Sequence, residues 1–240
     1  GGRDNLYVFS GDGSSKLIGL KVITDRNGKT FEITGKEGKV GDGEGAIEMH
    51  GNVHVRVSDG LEVTSEDATF TKADGIARAP GVVKFSRGHM SGSGVGFVYD
   101  NNQDILTIRD HAVVHVTADA KGNGAMDVAT GGLEFRRRER ILNFSDGMRG
   151  RRARETIEAD GGVAHLTEDE DHLEALQPRG HSTITTIGAA AGGLQALSGR
   201  DVDLKYGPDG RLIEHALING EARLQLAGEG QQSGREISAG

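Results

Sequence analysis

The sequence predicts an all-β protein whose strands form an antiparallel sandwich, roll or barrel. The first observation is a returning phrase in which a turn residue precedes apolar residues at alternate positions. It occurs at Gly51–Val55, Gly81–Phe85 and Asp110–Val116, with weaker copies at Gly162–Leu166, Gly180–Ile184 and Gly220–Leu224. Because successive strand side chains point to opposite faces, each copy predicts a strand with one apolar face. The second observation is a turn signal roughly every 8 to 12 residues.

The remaining strands follow in order along the chain. Lys16–Val22 and Thr30–Thr34 flank the pair Asn27-Gly28, which is a strong hairpin signal. Asp59-Gly60 is a second turn signal. Further strand-like stretches are Leu61–Thr64, Ala68–Phe70, Val95–Tyr99, Leu106–Ile108, Val202–Tyr206 and Leu212-Ile213.

Helical signals are scarce in this chain. Arg149–Ala159 is the best helix candidate, but its residues Thr156 and Ile157 suit a strand equally well. Gly188–Gly193 is too short and too rich in glycine for a stable helix, which favours a loop.

The spacing of the returning phrase bears on domain organisation. The first three copies begin at residues 51, 81 and 110, about 30 residues apart, as in a repeated strand–turn–strand unit. We therefore expect one continuous β region over residues 1–240. An alternative has two lobes, 1–133 and 160–240, joined by a charged junction at 134–159.

Composition excludes several classes of protein. The chain has 240 residues, no Cys and a net charge of −8, which argues against disulfides, thiolate metal sites and nucleic-acid binding. Aromatic residues are only 4% and Trp is absent, whereas Gly numbers 39. Such a composition makes a thickly filled core difficult to build and favours many turns and bulges.

Residues typical of catalytic or metal sites do not occur in convincing arrangements. His50 with His54, and His111 with His115, have i, i+4 spacing, which on a strand separates the rings by roughly 13 Å. We therefore expect these side chains to be solvated. The run Glu168–Asp171 lacks the pattern of a calcium loop, and Gly92–Gly96 lacks the lysine and following helix of a phosphate loop. The sequence predicts no enzyme activity, no cofactor and no metal.

A basic cluster stands out against the acidic background. Its candidate phosphate-contacting residues are Arg136, Arg137, Arg138 and Arg140. Guanidinium groups bind phosphate in a bidentate manner, so the cluster could hold a phosphorylated lipid head group. The alternative is a solvated loop in which Glu134 and Glu139 neutralise the arginines.

The apolar faces of the strands have two interpretations. In one, they pack against a second sheet and form an ordinary filled core. In the other, two sheets splay apart and hold long alkyl chains. Composition alone leaves the choice open.

Several phrases resemble a known family. Phe31–Thr34 and Gly45–Val55, the phrase Asp59–Phe70, and Gly94–Asp100 followed by Leu106–Ile108 are similar to units of the LptA/LptC/OstA (organic solvent tolerance) family. The resemblance covers residues 31–116 best and is thinner from 160 to 226. It implies an antiparallel β-jellyroll, that is, a folded-over open roll of two sheets whose interior shields acyl chains of lipopolysaccharide.

The resemblance also implies a function, a site and partners. The expected function is a periplasmic lipopolysaccharide-binding and transfer module, in a bridge towards the outer membrane. The partners would be lipopolysaccharide or a similar acylated lipid, and other jellyroll proteins that pair through edge strands at residues 16–34 and 212–226. The expected lipid-binding interior residues are Val53, Val55, Leu61, Val63, Val83, Phe85, Val95, Phe97, Leu106, Ile108, Val114 and Val116.

Two further expectations concern the termini and the main alternative. The chain begins Gly1-Gly2-Arg3 without a Met or apolar segment, so we expect any export signal or inner-membrane anchor to lie outside it. The alternative function is a structural or adhesive β-solenoid with a filled core and no ligand. Regular coils of about 20 to 25 residues would support that alternative.

Overall fold

A computed structural model describes most of the chain. The described residues are 4–7, 10–11, 17–26, 28–40, 46–71, 73–118, 124–170, 172–208, 210, 213–228 and 234–239. Asn27, Asp171 and Leu212, which belong to sequence signals named above, lie outside them. All regular structure in the described residues is β-strand, and no helix occurs among them. Contacts divide the chain into unit 1 (residues 1–112 and 134–138) and unit 2 (113–133 and 139–240).

Strands β1 to β10 run through unit 1, with β9 and β10 contributing residues to both units. They are β1 Asp4–Tyr7, β2 Ser10–Gly11, β3 Leu17–Arg26, β4 Lys29–Val40, β5 Ala46–Val57, β6 Glu62–Thr71, β7 Ile76–Arg87, β8 Met90–Asp100, β9 Ile105–Val116 and β10 Met126–Arg136. From β3 to β8 each strand pairs antiparallel with the next. Strands β3 and β4 pair antiparallel down to Arg26 and Lys29, so the two predicted strands form a hairpin.

Unit 2 contains the remaining strands. They are β11 Ile141–Arg152, β12 Glu155–Ala159, β13 Gly161–Leu166, β14 Leu173–Thr186, β15 Leu194–Tyr206, β16 Ile213–Asn219, β17 Ala222–Leu226 and β18 Arg235–Ala239. Strands β12 and β13 pair with successive halves of β14, and β16 and β17 with successive halves of β15. The segment 134–159, expected as a charged junction, thus consists mostly of strand. The helix candidate Arg149–Ala159 forms the end of β11 and the whole of β12 instead of a helix. The division into lobes stays a prediction.

The pairing of strands β4 to β8 changes register near the middle of the strands. The shifts fall between Thr34 and Glu37, His50 and Val53, Ser65 and Thr69, and Ala79 and Val82. We call this row of mid-strand interruptions the bend line. The glycine that opens the returning phrase lies on it: Gly51 has φ 75°, and the next residue, Asn52, has φ 47°. A left-handed pair of this kind breaks the ladder and turns the strand.

The bend line folds each strand between two facing walls. A space inside unit 1 is lined on one side by Phe31, Ile33, Val55, Val57, Leu61 and Val63. Its other side is lined by Phe70, Gly75, Ala77, Phe97, Tyr99 and Asn101. The two walls therefore contain opposite halves of the same hairpins, as in a folded-over roll. The fold class predicted from the sequence is confirmed, and antiparallel pairing differs from the parallel stacking of a β-helix.

Candidate functional site

The interior of unit 1 is formed by the residues that the alternating pattern selected. Ten of the twelve expected lipid-binding residues are buried, namely Val53, Val55, Leu61, Val63, Val83, Phe85, Phe97, Leu106, Ile108 and Val114. Val114 belongs to unit 2 and the other nine to unit 1. Burial alone fits a filled core as well as a lipid path, so the role of these residues stays a prediction.

Two expected interior residues are only half-buried. Val95 is half-buried and lies opposite Val82, which is 64% exposed, so this pair faces outward. The reason is the bend at Gly96 (φ 75°), which shifts the alternation, so that Phe97 points inward. Val116 is also half-buried, at the end of β9. Val95 is therefore not part of the interior face, whereas Val116 lies on the same face of β9 as the buried Val114, and its role stays a prediction.

Two spaces adjoin one another within unit 1. The larger encloses about 370 Å³, part of it open to solvent, and the smaller about 250 Å³. They share the lining residues Val55, Val63, Ala77 and Phe97, and therefore run into one another. The walls lie close together, so that each space has room for roughly one water molecule. The interior is a narrow apolar seam in this structure.

The turns of unit 1 form two rims above this seam. In the first rim, the amide of Ser58 donates to the carbonyl of Thr30 (2.9 Å), which ties the β3–β4 turn to the β5–β6 turn. In the second rim, the amide of Asn101 donates to Gly75 (3.2 Å) and that of Arg137 to Asp104 (3.2 Å).

Side chains join the first rim to the second. Nη1 of Arg137 donates to Asp59 at 2.6 Å and to Asp104 at 3.3 Å. Nζ of Lys29 donates to Asp104 at 2.6 Å and lies 3.1 Å from Asp59. The hydroxyl of Tyr99 donates to Asp104 at 2.6 Å. We call these five residues the rim clasp.

In the rim clasp, burial and the neighbouring cations have opposite effects on the pKa values of the two carboxyl groups. Burial by itself would raise the pKa of Asp59, but its bonds to Arg137 and Lys29 lower that pKa to about 2. Burial opposes ionisation of Asp104 in the same way, yet Lys29, Tyr99 and Arg137 hold its pKa below the usual value. Burial and the nearby carboxylate of Asp104 raise the pKa of Tyr99. The clasp at neutral pH therefore contains two cations, two carboxylates and a neutral phenol.

The expected phosphate cluster needs a correction at Arg137. Its side chain is only 6% exposed, and two carboxylates occupy the guanidinium, so it is no part of a surface patch. Arg136 is paired with Glu134 at 2.7 Å, as the solvated-loop alternative predicts. Arg138 and Arg140 are both exposed in the turn between β10 and β11, where Arg138 donates to the carbonyl of Asn102. The four arginines thus have different environments, and a shared phosphate site is not supported.

The histidines lie where the strand interpretation put them. His50, His54, His111 and His115 are all exposed. Nδ1 of His50 lies 2.7 Å from Asp67, and Nδ1 of His115 lies 2.6 Å from Asp127. Within the described part of the chain, no group of three or more His, Asp or Glu side chains is placed to hold a metal ion.

Sequence comparison bears on the same region. Residues 16–116 match the family model described as lipopolysaccharide-assembly, LptC-related. Over these residues the chain is similar to that family. The match contains the whole of the resemblance at 31–116 and nearly all strands that enclose the seam. No curated protein sequence shows a significant match to the chain.

The LptC family takes part in lipopolysaccharide transport, and its setting is the Gram-negative periplasm and inner membrane. It is a transport and binding family. No helix in the described ranges is long and apolar enough to cross a membrane.

Proposed function

We propose that this LptC-related chain is a periplasmic, non-enzymatic module that binds lipopolysaccharide and passes it on, with acyl chains between the walls of unit 1. The observation that carries the proposal is the seam itself. Its two adjoining spaces follow a continuous apolar face, inside the region that matches a lipopolysaccharide-assembly family.

An acyl chain must push the walls apart, because the seam is narrow. Burying ten methylenes stabilises by about 8 kcal/mol before ordering costs. Releasing a buried ion pair costs about 3–5 kcal/mol if one partner is left uncompensated. The gain from burial exceeds the cost of opening the rim clasp, before the ordering of the acyl chain and the lost contacts between the walls are subtracted.

The partners would include other jellyroll proteins joined by strand pairing, but of the two expected ranges the N-terminal one, 16–34, needs revision. Strand β3 is flanked by β1 and β2 on one side and by β4 on the other. Strand β17 lies between β15 and β18. Neither is an edge, so the proposed pairing strands are β16, which lies within the expected range 212–226, and β18.

Photo-crosslinking tests the proposal directly. We would place p-benzoylphenylalanine at Phe97, which lines both spaces, and at Lys84, which is exposed on the neighbouring strand β7. The full-length chain is then irradiated with purified lipopolysaccharide. We expect capture at position 97 and none at 84. Equal capture at both positions would contradict the assignment of the interior face, and capture at neither would favour a filled core without ligand.

A packing variant provides an independent check. Ala77 also lines both spaces, so Ala77→Leu narrows the seam further. We expect it to lower capture at position 97, while overpacking costs about 1–3 kcal/mol of stability. A cooperative thermal transition shows that the variant is folded. Unchanged capture by a folded Ala77→Leu variant would place the lipid elsewhere.

A further inference from the structure

One end of unit 2 combines arginines with an exposed apolar loop. The end of β11 contains Arg151 and Arg152, and the turn that follows it contains Arg154. The loop between β14 and β15, residues 187–193, reads Ile-Gly-Ala-Ala-Ala-Gly-Gly and has no charged side chain. The amide of Ile187 donates to the carbonyl of Arg154 at 2.9 Å, so the loop lies directly beside the arginine turn. We call these two segments the basic tip.

The apolar side chain at this tip is unusually exposed. Ile187 is 74% exposed, more than any other large apolar residue in the described part of the chain. Gly188, Ala190, Ala191 and Gly192 beside it are exposed as well. The loop is held in place, because Gly192 donates to the carbonyl of Ala227 (3.0 Å) and Ala227 to that of Gly193 (2.9 Å). An apolar side chain held outward on a fixed loop gains free energy only where water is excluded.

The arginines at the tip differ in the side chains that they contact. Arg152 lies over the ring of Tyr206, with 5.3 Å between Cζ and the ring centroid. On the same strand, Arg149 pairs with Glu158 at 3.1 Å. Arg151 and Arg154 are exposed, and neither has a carboxylate within ion-pair distance among the residues described. Two guanidinium groups are therefore available to an anionic partner, although the chain as a whole carries a charge of −8.

We propose that the basic tip docks unit 2 on the surface of an anionic phospholipid bilayer. Ile187 would enter the boundary between head groups and acyl chains, and Arg151 and Arg154 would contact lipid phosphates. The bilayer is the partner that fits both features of the tip. Its anionic head groups match the two arginines, and the acyl chains beneath them match the side chain of Ile187. The proposal goes beyond the lipopolysaccharide-binding function and uses none of the residues of the seam.

Vesicle flotation tests the proposal with the full-length chain. One set of vesicles contains phosphatidylethanolamine and phosphatidylglycerol in equal parts, and the other contains phosphatidylcholine alone. We expect binding to the anionic vesicles only, weakened by salt, because exposed charges are screened beyond about 10 Å at 0.1 M ionic strength. The double variant R151Q/R154Q should bind about twenty-fivefold more weakly, at about fivefold for each arginine. Ile187→Ser should weaken binding about tenfold.

Matched controls lie elsewhere in unit 2. Arg223→Gln removes an exposed arginine on β17, and Leu217→Ser removes an apolar side chain that is 59% exposed on β16. Neither should change vesicle binding. Equal binding to both vesicle types, no binding by the unaltered chain, or equal loss in the controls would overturn the proposal. Displacement by inorganic phosphate at constant ionic strength would indicate a single-phosphate site instead and would also overturn it.

Discussion

Asp59, in the turn between β5 and β6, accepts a 2.6 Å hydrogen bond from Arg137, which stands 78 positions later in the chain. The bond joins the first rim of unit 1 to the second. It lies above the apolar seam, where Phe31 and Tyr99 also meet across the rims with 5.7 Å between ring centroids. A polar contact therefore closes an apolar interior, and this arrangement can be tested by substitution.

Removing the guanidinium should destabilise unit 1. Arg137→Met keeps much of the apolar stem but leaves Asp59 and Asp104 with less compensation, so we expect a loss of about 3 kcal/mol in the free energy of unfolding. Arg138→Met is the control, since Arg138 is exposed and makes one bond to a carbonyl; it should cost about 1 kcal/mol or less. Urea unfolding measures both. Equal losses would contradict the importance of the rim clasp.

Acid should weaken unit 1 through Asp59. Its pKa is lowered from 3.8 to about 2 by folding, so the unfolded chain takes up the proton first as pH falls. The stabilisation is complete above pH about 4 and is lost between about 4 and 2, a change of about 2 kcal/mol. Thermal unfolding of the unaltered chain and of Asp59→Asn over that range measures it. We expect the variant to lose less stability with falling pH, and parallel curves would contradict this.

A methyl group added on the bend line should lower the stability of the protein at Gly51 but not at Gly81. Gly51 has φ 75°, and a Cβ there would lie 3.1 Å from Cβ of Lys36. We expect Gly51→Ala to cost about 1–2 kcal/mol, because the left-handed conformation is strained for alanine. Gly81 opens the next copy of the phrase, has no left-handed φ, and has open space where a Cβ would stand. Gly81→Ala should be neutral or stabilise by up to about 1 kcal/mol.

Chemical denaturation of the two glycine variants gives the comparison. The result expected is a large difference between two positions that look alike in the sequence. Similar effects at both would show that the bend does not depend on the left-handed glycine.

Strand pairing between copies should depend on β16. Leu217 is 59% exposed on this strand, and a lysine on an edge strand discourages addition of another strand. If copies associate through β16, Leu217→Lys should lower the association that light scattering detects across a dilution series. Val82→Lys, at an exposed apolar position of unit 1, is the control and should leave association unchanged. Equal behaviour of the two variants would argue against β16 as the pairing strand.

Most of the strands could be predicted from the sequence, because apolar alternation reports directly which residues are buried. The bend line could not. In β5 the buried residues are 47, 49, 53, 55 and 57, so the alternation keeps its phase across the bend. The pattern therefore shows one long strand and hides its division between two walls. In β8, by contrast, the bend changes the phase, and Val95 was expected on the wrong face.

The rim clasp was missed because its members are far apart in the sequence. Arg137 stands in a run of arginines, which on local evidence predicts a solvated or ligand-binding patch. Its partners Asp59 and Asp104 stand in turns, where aspartate is common for local reasons. Only the folded structure brings these three side chains together, and Arg137 is buried as a result.

The repeated hairpin also bears on how such a module can grow. Neighbouring strands lie about 4.8 Å apart, so each 30-residue hairpin adds about 10 Å to the roll along its axis. An inserted hairpin would carry its own bend residue and its own inward-facing side chains, and the cross-section of the seam would stay the same. Duplication or loss of one hairpin is therefore a simple evolutionary route to longer or shorter rolls, with no need to redesign the interior.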